Sequence, residues 1–474
     1  MMQLTSIAFL FLFLPLSLPL ILFLPKAYRR LSLSLLSILW YVLANFNNLW
    51  GILQIGALVF LTALIAYLPP PRTIGAAKFR TAFLILTSIA SLIAARIVGE
   101  HLDTSYVYPA GLLFVTLGIV SYAMDRARGD VVRPRNPLEL IGYLLFFPTL
   151  MVGPVVRSKH FFDLTEELSL KPTRLTDGIR LYMLGYIKRL AVAAVLMRAL
   201  QNLLHYSETI FSPTILILLL LCSFFFFYFY ITGGADLARG VCAIYGIPLT
   251  RDRGNVLTST TPDRMLYGTT LSLRNYLFDY VRYPLCRVCK GRRGRILSIL
   301  LIYCITVLVF RTRLELLLLG APILLFALLT ELTPVRKLPS LKFWWRLLLS
   351  PISIFLCSFF TLSLLLPKPS DVFLLIKSAF SSETNHPTRY ILGAIQDANY
   401  LGLLLILLVL FLPWALLRHW IFRKARERTA LVFSICEITF LFVCFVLTMI
   451  YFLPQFPTYA EYAYGIFRYG EVAP

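Results

Sequence analysis

The sequence predicts an all-α polytopic membrane protein, and three observations lead there. Of its 474 residues, 59% are hydrophobic and 14% charged, against roughly 45–50% apolar in an ordinary soluble domain. Apolar runs of roughly 18 residues or more, long enough to cross about 30 Å of hydrocarbon as a helix, recur along the chain. Basic residues gather in the short polar segments between those runs, as they do in cytoplasmic loops of membrane proteins. Helices are the default because each backbone N–H and C=O must find a partner without water.

Taken in order, the candidate spans are 7–24, 31–45, 48–68, 79–97, 107–124, 138–152, 180–203, 212–231, 296–310, 314–332, 346–366, 398–417 and 430–453. The first lacks a preceding basic residue and is interrupted by proline, so it reads as a retained membrane segment and not a signal peptide. Segment 138–152 holds Pro148 and is followed by Gly153 and Pro154, which suits a re-entrant element buried in protein. The shorter runs need not cross, which leaves roughly ten to twelve spans. No repeat and no soluble domain is visible, so a single membrane domain covers 1–474, with its motif-rich core at 138–332.

The formal charge is +22, from 45 Lys and Arg against 23 Asp and Glu. Its clusters, such as Arg126 through Arg135 and Arg282 through Arg295, fit membrane topology and anionic lipid headgroups, and they argue against nucleic acid. Most of the eight cysteines lie inside apolar runs and behave there as small hydrophobes. Cys286 and Cys289 form a CxxC without a second pair or a nearby histidine, so no metal site is predicted.

Residues 249–285 stand apart. They are polar, then amphipathic, and include Arg251, Asp252, Arg253, Asp263, Arg264, Arg274 and Asp279. Such a stretch between spans lies along the interface or dips into a protein-lined cavity, and ionisable residues at that depth are functional candidates.

Four segments carry a family resemblance. Phe147-Pro148 through Gly153-Pro154-Val155-Val156-Arg157 is the first, and Gly185-Tyr186-Ile187-Lys188-Arg189 the second. Tyr228-Phe229-Tyr230-Ile231-Thr232-Gly233-Gly234-Ala235-Asp236 through Gly240 is the third, and Leu271-Ser272-Leu273 with Asp279-Tyr280 and Tyr283-Pro284-Leu285 the fourth. In this order and spacing they resemble the bacterial polysaccharide branch of the membrane-bound O-acyltransferases, which includes alginate O-acetylases and D-alanyl transferases. The resemblance implies a helical bundle with re-entrant elements around a central tunnel in a bacterial inner membrane. It also implies transfer of a short acyl group from acyl-CoA or an acyl carrier protein to a hydroxyl of an extracytoplasmic polysaccharide or lipid. No bound cofactor is implied, and envelope-polysaccharide proteins are the implied partners. The glycines of the third segment read as a helix break lining the tunnel.

In the family two histidines are associated with catalysis. Aligned on Tyr283-Pro284-Leu285, the first falls on Thr269-Thr270, and the second falls near Phe310 through Arg313, where there is none. The family's Asp in Tyr-Phe-Asp falls on Tyr230. The remaining candidates for a base are His160, close to Arg157, and Asp236, whose carboxyl could be tuned by burial or could serve as a structural acceptor. Thr270 completes the catalytic set, with Tyr230, Gly233, Thr269, Ser272, Arg311 and Arg313 as substrate-binding candidates. His101, His205, His386 and His419 lie near segment ends or in loops. The tail 459–474 is aromatic-rich, with Ile466-Phe467-Arg468-Tyr469 faintly like a C-terminal acyl-accepting motif; an interfacial aromatic belt explains the same residues. Loss of both histidines admits a second reading, a non-catalytic scaffold or acyl conduit in an envelope-polysaccharide assembly. A transporter is disfavoured because no inverted repeat is visible.

Overall fold

The structure is a computed structural model and describes residues 4–69, 72–98, 108–132, 134, 136–150, 153–166, 172–207, 213–250, 256, 259–311, 313–332, 343–366, 368–381 and 427–452. Helices make up nearly all of these residues, and no strand occurs among them. The predicted span 398–417 and the aromatic tail lie outside the described residues. The chain divides into two compact units, Met1–Tyr182 with Ala235–Asp252 and Thr270–Gly294, and Met183–Gly234 with Arg253–Thr269 and Arg295–Pro474.

The first unit opens with a π-helical turn, Phe9–Phe13, that runs into α1 (Leu14–Leu22). There follow α2 (Lys26–Ala44), α3 (Leu49–Tyr67), α4 (Ile74–Ile97) and α5 (Leu112–Arg128). The side chains of Asn48 and Thr73 cap α3 and α4 by accepting from Gly51 N and Ala76 N, satisfying backbone donors that a helix start leaves open. Only 28% of the most apolar stretch of α3 and 17% of that of α4 are buried in protein. Their remaining apolar surface, including Phe60, Phe79 and Leu86, has lipid as its natural solvent.

The segment 138–150, expected from Pro148 to be short or broken, forms two short helices, α6 (Pro137–Leu144) and α7 (Phe147–Leu150). Phe147 is fully buried and its ring meets those of Phe13, Trp40 and Tyr245 at 5.4, 6.0 and 5.5 Å. Next come α8 (Ser158–Glu166) and α9 (Pro172–Tyr186), then a second π-helical turn, Ile187–Val192, and α10 (Ala193–Ser207).

The long helix α11 (Pro213–Ile244) corrects one expectation. It passes through Gly233-Gly234 without a break, and Gly233 and the later Gly240 serve close approach and not chain reversal. A Cβ on Gly233 would stand 3.0 Å from Lys188 Cβ and 3.1 Å from Arg189 N. At Gly240 it would lie 2.5 Å from Tyr182 N and 2.9 Å from Gly178 O. Backbone, unlike a side-chain tip, cannot step aside, and small residues at such crossings let membrane helices touch. Gly240→Ala is therefore expected to destabilise the α9–α11 contact by about 1–3 kcal/mol, read as a lower unfolding temperature in detergent.

The polar stretch folds as α12 (Pro262–Thr269), α13 (Leu271–Leu277), a π-helical turn Phe278–Arg282 and α14 (Tyr283–Val288). In the second unit α12 packs on α17 (Ala321–Leu332) and α18 (Phe343–Leu365). Its core joins Phe224 and Phe227 of α11, Met265 and Leu266 of α12, and Tyr303 and Val307 of α15 (Arg292–Phe310), with Leu316 of α16 (Glu315–Leu319) and Phe360 of α18. Two further helices are α19 (Asp371–Ser381) and α20 (Glu427–Phe452), the latter packed against the turn Ile187–Val192. Among the described residues α3, α4, α11 and α15 are long and apolar enough to cross a membrane, beside five shorter apolar helices.

Candidate functional site

In the first unit, two motifs more than 100 residues apart in sequence meet. Ser272 Oγ accepts a hydrogen bond from Val155 N at 2.9 Å, and the Tyr276 hydroxyl donates to the Leu117 carbonyl at 2.9 Å. These bonds fix α13 against α5 and against the segment before α8. Arg157 then reaches the π-helical turn, forming an ion pair with Asp279 and donating from Nε to the Tyr280 hydroxyl at 3.2 Å. Two guanidinium groups approach the Tyr280 ring, those of Arg128 and Arg157 lying 5.2 and 5.3 Å from its centre, within cation–π range.

Beneath this pair is Asp125, fully buried near the end of α5. Its carboxylate accepts from the Tyr280 hydroxyl at 2.7 Å and from Ser158 Oγ at 2.7 Å. Ser121 Oγ, 2.9 Å from the Tyr280 hydroxyl, accepts from Ser158 N at 2.9 Å. The carboxylate thus sits at the start of α8, where helix N–H groups favour negative charge. Burial, more than any neighbour, pushes the Tyr280 phenol up to about 12, which keeps it a neutral donor to Asp125. Burial works against the Arg157 charge, but the Tyr280, Asp279 and Asp125 contacts outweigh it and raise its pKa.

Above the network is a cavity of about 400 Å³, lined by the segment 154–157, α8, Leu249-Thr250, α13 and the π-helical turn. Arg157, Lys159, His160, Asp163, Ser272, Asn275 and Asp279 give it a polar wall, and Tyr276, Phe278 and Tyr283 an aromatic one. Of the predicted site residues, His160 and Ser272 line this cavity. Ser272 stands within the fourth resembling segment, and His160 three residues beyond the end of the first.

No protein-family model matches the chain, but curated relatives do. The probable alginate O-acetylase AlgI of Pseudomonas fluorescens is 28% identical over 206 residues, 41% of this chain and 39% of the relative. That of Azotobacter vinelandii is 28% identical over 209 residues, 40% and 42%, and that of Pseudomonas aeruginosa 26% over 212 residues, 41% and 40%. The resemblance to membrane-bound O-acyltransferases holds. The chain spans about two-fifths of the length of these curated relatives.

The positions that the acyltransferase resemblance singled out fare unequally. Asp236, buried on α11, forms an ion pair with Arg239 at 3.3 Å and is not among the residues lining the cavity. Thr270 stands at the N-cap of α13 without a side-chain cap hydrogen bond. The others belong to the second unit. Thr269 Oγ1 donates to the Leu266 carbonyl at 2.6 Å. Tyr230 accepts from Arg189 at 3.1 Å, and the guanidinium also lies 4.5 Å from its ring centre; Gly233 gives room to the same Lys188-Arg189 backbone.

Arg311 is buried and donates to the Leu364 carbonyl at 3.2 Å and to the Leu366 carbonyl, so it ties down the end of α18. Arg313 is half-buried. Because charged hydrogen bonds to buried carbonyls contribute more than neutral ones, Arg311→Ala is expected to cost about 2–3 kcal/mol. Thermal unfolding of the variant in detergent measures this.

His101, His386 and His419 lie outside the described residues, as does the side chain of His205 on α10. Asp125, Ser121 and Ser158 escaped sequence reasoning. Asp263 was noticed only as part of a polar stretch. It is nearly buried at the start of α12, its Oδ1 has no hydrogen-bond partner among the described residues, and burial raises its pKa, with Thr261 and Arg264 opposing.

Proposed function

We propose that this chain transfers a short acyl group to a hydroxyl of an extracytoplasmic polysaccharide or lipid, as a multi-pass protein of a bacterial inner membrane. The observation that carries this reading is the cavity where the Gly153-Pro154 through Arg157 segment meets Ser272 and Asp279 with His160 on its wall. The alginate O-acetylase names of the relatives point the same way. The acyl donor, acyl-CoA or an acyl carrier protein, is a substrate and not a resident cofactor. In this reading His160 takes the proton of the acceptor hydroxyl as its oxygen attacks the acyl carbonyl carbon. Collapse of the tetrahedral intermediate expels the donor thiolate, which takes that proton from the imidazolium. Lys159 and Arg157 provide positive charge for the oxyanion, and Ser272, Asn275 and the aromatic wall orient the acceptor.

A second reading rests on the second unit. Where the relatives' family places its histidines, the Thr269 hydroxyl is held by a backbone carbonyl and Arg311 by two others, which leaves no base there. That is what a scaffold or acyl conduit in an envelope-polysaccharide assembly would retain. The deciding experiment is acyl transfer by the purified protein in lipid, with labelled donor and envelope polysaccharide, comparing the native chain, His160→Ala and Asp236→Ala. Transfer by the native chain that is lost in a folded His160→Ala variant supports the enzyme. Loss in Asp236→Ala alone moves the base to α11, and absence of transfer from every donor favours the conduit.

A further inference from the structure

Between α14 and α15 the chain reverses at Gly291, whose φ of +82° lies in the left-handed region. The turn is tight as well as short: a Cβ on Gly294 would stand 1.8 Å from the Cys289 carbonyl oxygen. A glycine at both places is what allows the turn to close. The shape it holds presents Arg287, Lys290, Arg292 and Arg293, all exposed. Among the described residues none of the four is in an ion pair, and the sequence from Tyr280 to Leu314 contains no acidic residue to neutralise them. Arg295, by contrast, is paired with Glu331 at 3.5 Å.

Apolar surface lies beside this charge. Val288 is 82% exposed and Tyr283 55% exposed. In water alone an exposed valine between an arginine and a lysine gains nothing, and repulsion among four cations works against the turn. Both features make sense at the start of a helix that crosses a membrane, which α15 is long and apolar enough to do. There the charges stand at headgroup depth, and valine and tyrosine meet the boundary of the acyl chains.

We propose that the α14–α15 turn is a binding surface for anionic membrane phospholipid. The headgroup phosphate is taken by Arg287, Lys290, Arg292 and Arg293, and the glycerol and upper acyl region lies against Val288 and Tyr283. Free phosphate has the charge but nothing for the apolar pair. Tyr283 also lines the cavity of the first unit, so a lipid held here steadies one wall of it. The proposal does not rest on the acyl-transfer reading.

The test is lipid retention by the full chain, measured by native mass spectrometry from detergent doped with equal phosphatidylglycerol and phosphatidylcholine. The native protein is expected to retain phosphatidylglycerol in preference. Each Arg→Gln or Lys→Gln change should weaken that retention roughly fivefold, so that Arg287→Gln, Lys290→Gln, Arg292→Gln and Arg293→Gln combined abolish the preference. Raising salt must erode the preference in the native protein itself, because screening shortens the reach of exposed charges; that measurement needs no variant to fold. Val288→Ser should weaken retention of lipid while leaving binding of inorganic phosphate unchanged. Undiminished preference in the quadruple variant overturns the proposal and assigns the patch to another acidic partner. Inorganic phosphate that displaces the lipid at equal concentration also overturns it, in favour of a phosphate site.

Discussion

His160→Ala is expected to lower kcat for acyl transfer by roughly 10²–10⁴-fold, the usual contribution of a positioned general base, while KM changes little. The split follows from the geometry. His160 is one of several polar residues on the cavity wall, so removing it leaves Ser272, Asn275 and the aromatic residues to bind the acceptor. A group that acts only as the proton moves appears in kcat and not in ground-state binding. The void left by the imidazole opens onto a cavity of about 400 Å³, so free imidazole added to the variant should restore part of the rate. Equal rates for native and variant, with native transfer intact, would remove His160 from the chemistry.

The largest stability effect is expected at Asp125. Asp125→Ala leaves the Tyr280 hydroxyl and Ser158 Oγ without their acceptor and removes the carboxylate 4.0 Å from Arg157. Each buried donor left unsatisfied costs about 1–3 kcal/mol, so the variant should lose about 3–5 kcal/mol, in the range seen when a buried ionic group loses its partner. Asp125→Asn keeps the volume and one acceptor and should fall between native and Ala. Unfolding temperatures in one detergent, supported by unfolding rates where aggregation intervenes, give the order. A merely local role predicts a native-like Asn variant and an Ala variant weakened by less than about 1 kcal/mol, as for an exposed surface substitution.

These two residues show what could be read from sequence. That His160 and Ser272 line the cavity was hinted at by the sequence, since His160 lies three residues beyond Arg157 and Ser272 within a resembling segment. Asp125 was not. A lone aspartate at the end of an apolar run, followed by Arg126 and Arg128, has the pattern of a membrane flank, and its partners Ser158 and Tyr280 come from segments 33 and 155 residues away. Pairings of that range leave no periodic trace. The helices long and apolar enough to span a membrane were legible from length and hydrophobicity alone, and Pro148 marked 138–152 as short or broken. The Gly233-Gly234 pair was misread as a break because glycine marks close contact as readily as interruption, and only the neighbouring backbone distinguishes them. For Arg311 the sequence offered a substrate-binding role, and the α18 carbonyls that hold it could not be foreseen because they are properties of the folded chain.

The continuity of α11 has one more consequence. Its 32 residues, at 1.5 Å per residue, make a rod of about 48 Å, whereas the hydrocarbon of a bilayer is about 30 Å thick. The apolar part from Pro213 to Thr232 matches that thickness, and the part from Gly233 onward, with Asp236 and Arg239, extends beyond it or obliges the rod to lean. Either way the Asp236–Arg239 pair is enclosed by protein, with 3% and 15% of the two side chains exposed, so neighbouring helices and not the bilayer set its surroundings. A change of bilayer thickness is therefore met by the lean of the helix and not by exposure of the ion pair.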